Sequence, residues 1–126
     1  MAKIERFEDF IAWQKARALT ARIYKITNEG TLSRDYSLRD QIRRASSSIM
    51  ANIAEGFERG GHSEFEHFLS IAKASCAELR SHLYIASDAG HIKEADFSTL
   101  LADGIEVGQI IGGLRVSVQN RRDSKR

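Results

Sequence analysis

LRDQIRRASSSIMANIAEGFERG, residues 38–60, spaces Leu38, Ile42, Ala45, Ile49, Ile53 and Gly56 at steps of four, three, four, four and three. That spacing lays one apolar stripe along one face of an α-helix and does not fit the two-residue period of a strand. Met50, Ala54 and Phe57 line a second edge beside Ile49 and Ile53. The apolar face is therefore wider than one seam of a bundle requires, either because the helix lies deep in its own bundle or because it meets another subunit. Beside the apolar stripe runs a polar one, Gln41, Arg44, Ser48, Asn52, Glu55 and Arg59, also at helical steps. Such a stripe is expected either as a hydrogen-bonded network that fixes helix register or as a contact surface for another subunit, a ligand or nucleic acid.

On either side the same period recurs. Phe7, Phe10, Ile11, Leu19, Ile23 and Ile26 predict a first helix over about 7–28, with Gly30 as its stop. Residues 31–36 read as a short polar connection, after which Ser37 is placed to cap the second helix, residues 38–59. Gly60-Gly61 ends that helix, and Ser63-Glu-Phe-Glu66 reads as a capping box opening a third over 64–89. Its seam is Phe65, Phe68, Leu69, Ala72, Cys76, Leu79, Leu83 and Ala86, and Gly90 suits a left-handed end. A fourth helix, 94–120, carries Phe97, Leu100, Gly104, Val107, Ile111, Leu114 and Val118. Four seams joined by short connections predict an all-α, antiparallel up-down-up-down four-helix bundle over 1–120, followed by a basic tail at 121–126. The chain has no proline to interrupt its helices.

The 126 residues suit one domain, and 42% hydrophobic residues are enough for a core without disulfides or metal. One cysteine, Cys76, cannot pair within the chain, so a reducing cytoplasmic location is expected. No signal-peptide or membrane-span pattern is present, and no membrane association is expected. The formal net charge is only +2, but the signs are separated along the chain. Lys93 stands alone against Glu94, Asp96, Asp103 and Glu106, whereas Arg115, Arg121, Arg122, Lys125 and Arg126 face only Asp123.

Catalytic signals are thin. Glu64-x-x-His67 has the spacing of one half of a di-iron site, but no second such motif accompanies it. Ser70-x-x-Lys73 lacks the companion elements of penicillin-interacting enzymes. No Walker loop, zinc knuckle or nucleophile–base pair stands out, so neither enzyme activity nor a metal or cofactor is expected. Gly104, Gly108 and Gly112 recur every four residues, a spacing that lets a neighbouring backbone come close within or between subunits.

Several of these segments form a pattern in order: Trp13-Gln-Lys15, Gln41-Ile-Arg-Arg-Ala45, Ser48-Ile49, Asn52-Ile-Ala-Glu-Gly56, Arg59, then Phe68-Leu69 with Ala72, Ser75, Glu78 and Leu79. In these residues the chain resembles the four-helix bundle proteins of the 23S rRNA intervening-sequence family. It departs from them in lacking a proline between the first two helices, in Ala74-Ser75-Cys76, and in its glycine-rich fourth helix. The resemblance implies a homo-oligomer, a ring-like pentamer, in a family without established enzyme activity. It also implies a link to accessory proteins of diversity-generating retroelements, which bind nucleic acid and a reverse transcriptase. The expected function is nonspecific binding of RNA or DNA, or an accessory role to a nucleic-acid enzyme such as a reverse transcriptase. The alternative is a protein–protein assembly module in which acidic helices three and four dock on basic helices one and two. Candidate phosphate contacts are Arg17, Arg22 and Lys25 on the first helix, Arg39, Arg43 and Arg44 on the second, and Arg121, Arg122, Lys125 and Arg126 in the tail.

Overall fold

The structure, a computed structural model, describes residues 3–124. Four helices follow one another: α1 Ile11–Thr27, α2 Tyr36–Glu58, α3 His62–Asp88 and α4 Glu94–Ser124. Each packs on its neighbour in sequence, and α1 closes the bundle against α4. The partners run in opposite directions along each pair. Ser48 meets Ser75 while Gly56 meets Phe68, Cys76 lies by Gly108 while Lys73 lies by Gly112, and Lys15 reaches Glu106 while Arg22 reaches Asp103. The predicted seams form the core: Leu19, Ile23, Ile42, Ile49, Ile53, Leu69, Leu79, Leu83 and Ile111 are fully buried.

Five local expectations are corrected. The first helix does not begin at residue 7. Phe7–Asp9 form a single 3-10 turn, Phe10 is extended (φ −72°, ψ 130°), and α1 starts at Ile11, which is 62% exposed. Asp9 causes the break: its carboxylate accepts from the Glu5 and Arg6 amides, both at 3.0 Å, tying the chain back on itself. Those two amide bonds hold the Asp9 carboxyl below its ordinary value. Residues 31–36 are not merely polar connection, because Thr31–Arg34 form a second 3-10 turn and sink Leu32 completely into the core. The cap of α2 is Asp35, which accepts from the Leu38 amide at 3.3 Å, while Ser37 accepts from Gln41 instead. The expected capping box at Ser63 does not form: α3 begins at His62 with no side-chain cap, and Glu66 turns to Arg122. At the far end α4 runs past residue 120 to Ser124.

Gly90 is left-handed as expected (φ 76°) and closes α3 with bonds from the Gly90 amide to Ser87 O and from the His91 amide to Ala86 O. This closure positions His91, whose ring meets Thr31 Oγ1 at 2.7 Å and Asp35 Oδ2 at 3.1 Å, joining the two connections at this end of the bundle. A hydroxyl, imidazole and carboxylate thus stand in line, an arrangement invisible in a sequence that separates them by up to 60 residues. Asp35 is committed to the α2 cap through its other oxygen, so the trio serves as a fastening between the two connections.

Glycine matters most at Gly56. A β-carbon there would lie 2.5 Å from Phe68 Cβ and 3.1 Å from the Phe65 ring, so α2 and α3 approach closely only because this residue has no side chain. Gly56→Ala should gain about 1 kcal/mol of helix propensity, yet lose about 2–3 kcal/mol to overpacking. The net result is a lower melting temperature by circular dichroism. Gly113, with open space around its Cα, supplies the contrast, and Gly113→Ala should raise stability by about 0.5–1 kcal/mol. A stabilised Gly56→Ala protein would contradict the close packing of α2 and α3.

Candidate functional site

The polar stripe of α2 divides along its length. In its middle, Ser48 Oγ lies 2.9 Å from the buried Ser75 Oγ of α3, and Asn52 donates to Ser48 O at 2.8 Å and Ser48 Oγ at 3.0 Å. These bonds join α2 to α3 through partly buried side chains, which fixes the register of the two helices. Toward the C-terminus, Arg59 pairs with Glu55 at 3.1 Å and Glu64 at 3.5 Å and lies over the Phe68 ring. Gln41 and Arg44, at the other end, face solvent. The second apolar edge is largely covered within the chain. Phe57 meets Phe10 and Phe65 edge-on, at centroid distances of 5.2 and 5.9 Å, and Met50 packs on the core.

The cations singled out in the sequence fall into two groups. Arg22 pairs with Asp103 at 2.8 Å, an ionic contact without an aligned hydrogen bond. Arg39 pairs with Asp40, donates to Ser33 O and lies over Tyr36. Arg43 donates to Thr27 Oγ1 at 2.8 Å and lies over Tyr24, and Arg122 is bound to Glu66 and Asp123. These four are engaged within the fold. Arg17, beside Trp13, and Lys25, Arg44 and Arg121 have no carboxylate partner among the described residues, whereas Lys125 and Arg126 lie outside those residues.

A different set is brought together by the fold. Lys73 and Arg80 on α3 and Arg115 on α4 line one open groove of about 560 Å³, together with Ser70, Cys76, Ala77, Ile105, Gly108, Gln109 and Gly112. None of the three cations has a carboxylate partner among the described residues, and Arg115 Nε is buried without a hydrogen-bond acceptor. Gly108 and Gly112 of α4 line the groove. β-Carbons built at 104, 108 and 112 would meet the Arg80, Cys76 and Lys73 side chains at 3.2–3.7 Å, so these glycines seat side chains and not a neighbouring backbone within the chain. A second hollow lined by Glu66, His67 and Arg122 shares Ser70 and Arg115 with the groove and continues it.

Counted along the chain, α3 and α4 are acidic, and this hid the groove. Several of their acids are paired elsewhere, Glu64 with Arg59, Glu66 with Arg122, Glu78 near His82, Asp103 with Arg22 and Glu106 with Lys15, and none of the acids lines the groove. The signal available in the sequence was the seven-residue spacing of Lys73 and Arg80, which shares a helix face with Cys76, set against Gly108, Gly112 and Arg115. The three cations, held seven residues apart or on separate helices, are tolerated in water and become attractive to a polyanion.

The family model for the 23S rRNA-intervening sequence protein matches residues 8–113, from the 3-10 turn through most of α4. The chain belongs to that family. Among solved structures, it is similar to a protein of unknown function from the S23 ribosomal protein family of Bacteroides thetaiotaomicron. The TM-score is 0.76 at 20% identity, over 83% of this chain and 95% of that one, a likeness that concerns the fold. No curated protein matches.

In this member of the intervening-sequence family, Cys76 is a core residue. Burial pushes its thiol up to about 11, against the opposing charge of Arg80, so it is protonated and unreactive at neutral pH. Glu64 pairs with Arg59 at 3.5 Å, and among the described residues no cluster of three or more metal-ligating side chains occurs. Among those residues, too, no helix is long and apolar enough to cross a membrane.

Proposed function

We propose that this chain is a subunit of a cytoplasmic homo-oligomer, without catalytic activity of its own, that binds the phosphate backbone of RNA or DNA without sequence preference. The observation that carries this reading is the α3–α4 groove, where Lys73, Arg80 and Arg115 converge with no carboxylate to neutralise them. Phosphate is the polyanion such a groove suits: guanidinium and ammonium groups donate to its oxygens, and binding is driven by released counterions. Nothing in the groove offers an aromatic platform for stacking bases, and its three cations suit phosphate oxygens, so affinity should depend on salt and hardly on sequence. Assembly into a pentamer, by resemblance to the family and to retroelement accessory proteins, would repeat the groove around a ring and raise its field. The same resemblance supports a role beside a nucleic-acid enzyme such as a reverse transcriptase.

A pure assembly module relying on basic α1–α2 against acidic α3–α4 has fewer charges to use, because Lys15–Glu106 and Arg22–Asp103 already join within one chain. The test is fluorescence polarisation of labelled RNA and DNA of several sequences, titrated at low and moderate salt. Saturable binding that weakens steeply with salt and varies little with sequence is expected. No binding at low salt would overturn the proposal. Light scattering checks the assembly, for which a clean monomer of 14.1 kDa is the contrary result.

A further inference from the structure

The break at Phe10 has a consequence at the opposite end of the molecule from His91. By leaving the helix there, the chain directs the Phe10 ring beneath the α2–α3 connection, where it packs on Phe57 and Phe65 at centroid distances of 5.2 and 5.5 Å. Gly56 lets α3 come close enough for Phe65 to complete the cluster. Beside these three rings lies an open cavity of about 490 Å³, lined also by Ile4, Leu114 and Val118. This is within the range of small-ligand pockets, and its lining is predominantly apolar. The polar side chains in its lining are His62, Ser117 and Arg121, of which Ser117 and Arg121 are exposed to solvent. Arg121 has no carboxylate partner among the described residues, and the first turn of α3 beside it carries no side-chain cap.

We propose that this cavity binds a single-tailed amphipathic carboxylate, a medium-chain fatty acid in chemical class. The tail would lie over Phe10, Phe57 and Phe65, and the carboxylate would accept from the Arg121 guanidinium and the Ser117 hydroxyl. The charge decides the class. A neutral apolar ligand would leave Arg121 without a role, a cationic amphiphile would be repelled by it, and a bare inorganic anion would leave the aromatic floor unfilled. The groove proposed for phosphate lies on the outer α3–α4 face and shares no lining residue with this cavity, so the two readings stand or fall separately.

The test is displacement of a fluorescent fatty acid, cis-parinarate, from the full-length protein by decanoate, decanol and decyltrimethylammonium, all below their aggregation concentrations. Decanoate should displace the probe at least tenfold more effectively than decanol, and the cation should fail. Arg121→Gln should weaken decanoate about tenfold and leave decanol unchanged. Ser117→Trp, which fills the mouth from an exposed position, should weaken both. Circular dichroism and light scattering of each variant, matching those of the parent, establish that the fold and assembly are intact. The proposal is overturned if parinarate does not bind saturably, if acid and alcohol compete equally, or if either folded variant binds decanoate like the parent.

Discussion

Leu32→Ala should lower stability by about 3 kcal/mol, a loss of roughly 10 °C in melting temperature for a domain of this size. The residue sits between Thr31 and Ser33 in what reads as a polar connection, and yet its side chain has no exposed surface. Truncation would leave a hole where α1, α2 and the 3-10 turn converge, because the turn is fixed at both ends and cannot collapse inward. Ser33 Oγ donates to Gly30 O at 2.6 Å, Asp35 caps α2, and His91 fastens Thr31 and Asp35. Arg34, the exposed residue two positions on, is the control, and Arg34→Ala should change stability by less than about 0.5 kcal/mol. Thermal and urea unfolding of both variants reads the difference. A Leu32→Ala protein as stable as Arg34→Ala would mean that the turn does not belong to the core.

Leu32 illustrates what could and could not be read from the chain. The seam of α2 is legible because six apolar residues repeat one geometric rule, and all six are buried as that rule requires. A single leucine flanked by threonine and serine repeats nothing, and its burial follows from tertiary docking that no local window contains. The break at Phe10 is hidden for a similar reason. Phe7, Phe10 and Ile11 continue the apolar period of α1, and only the fold-back of Glu5 and Arg6 onto Asp9 stops the helix, a bond in which the acid looks like any first-turn carboxylate. At Ser63 the motif was present and the box was not, since Glu66 gained more from Arg122, 56 residues away, than from its own helix terminus. The groove shows the same limit for charge. Summed by segment, α3 and α4 are acidic, but sums along a chain do not say which acids already have partners, and that pairing is what leaves Lys73, Arg80 and Arg115 unopposed.

Neutralising the groove should therefore weaken nucleic-acid binding more than removing equal charge elsewhere. The triple variant Lys73→Gln, Arg80→Gln, Arg115→Gln is expected to bind RNA and DNA about 100-fold more weakly at low salt, at roughly 1 kcal/mol for each lost phosphate contact. Its plot of log affinity against log salt should become shallower by roughly 2–3 for each groove engaged. The loss should be the same for every sequence tested, because phosphate contacts position a nucleic acid without reading it. A second triple variant, Arg17→Gln, Lys25→Gln, Arg44→Gln, changes net charge identically on α1 and α2, where these cations are exposed but dispersed. It alters the long-range field, which salt screens over about 8–10 Å, and so should cost only a few-fold at low salt and nothing measurable at moderate salt. Polarisation titrations of the two variants beside the parent separate a groove from a diffuse charge. Equal losses would remove the groove as the site, and a larger loss on α1–α2 would move the interface to that face. Arg17, Lys25, Arg44 and Lys73 are exposed and Arg80 and Arg115 half-buried, none of them in the hydrophobic core, so both variants should fold, and a melting curve on each checks that directly.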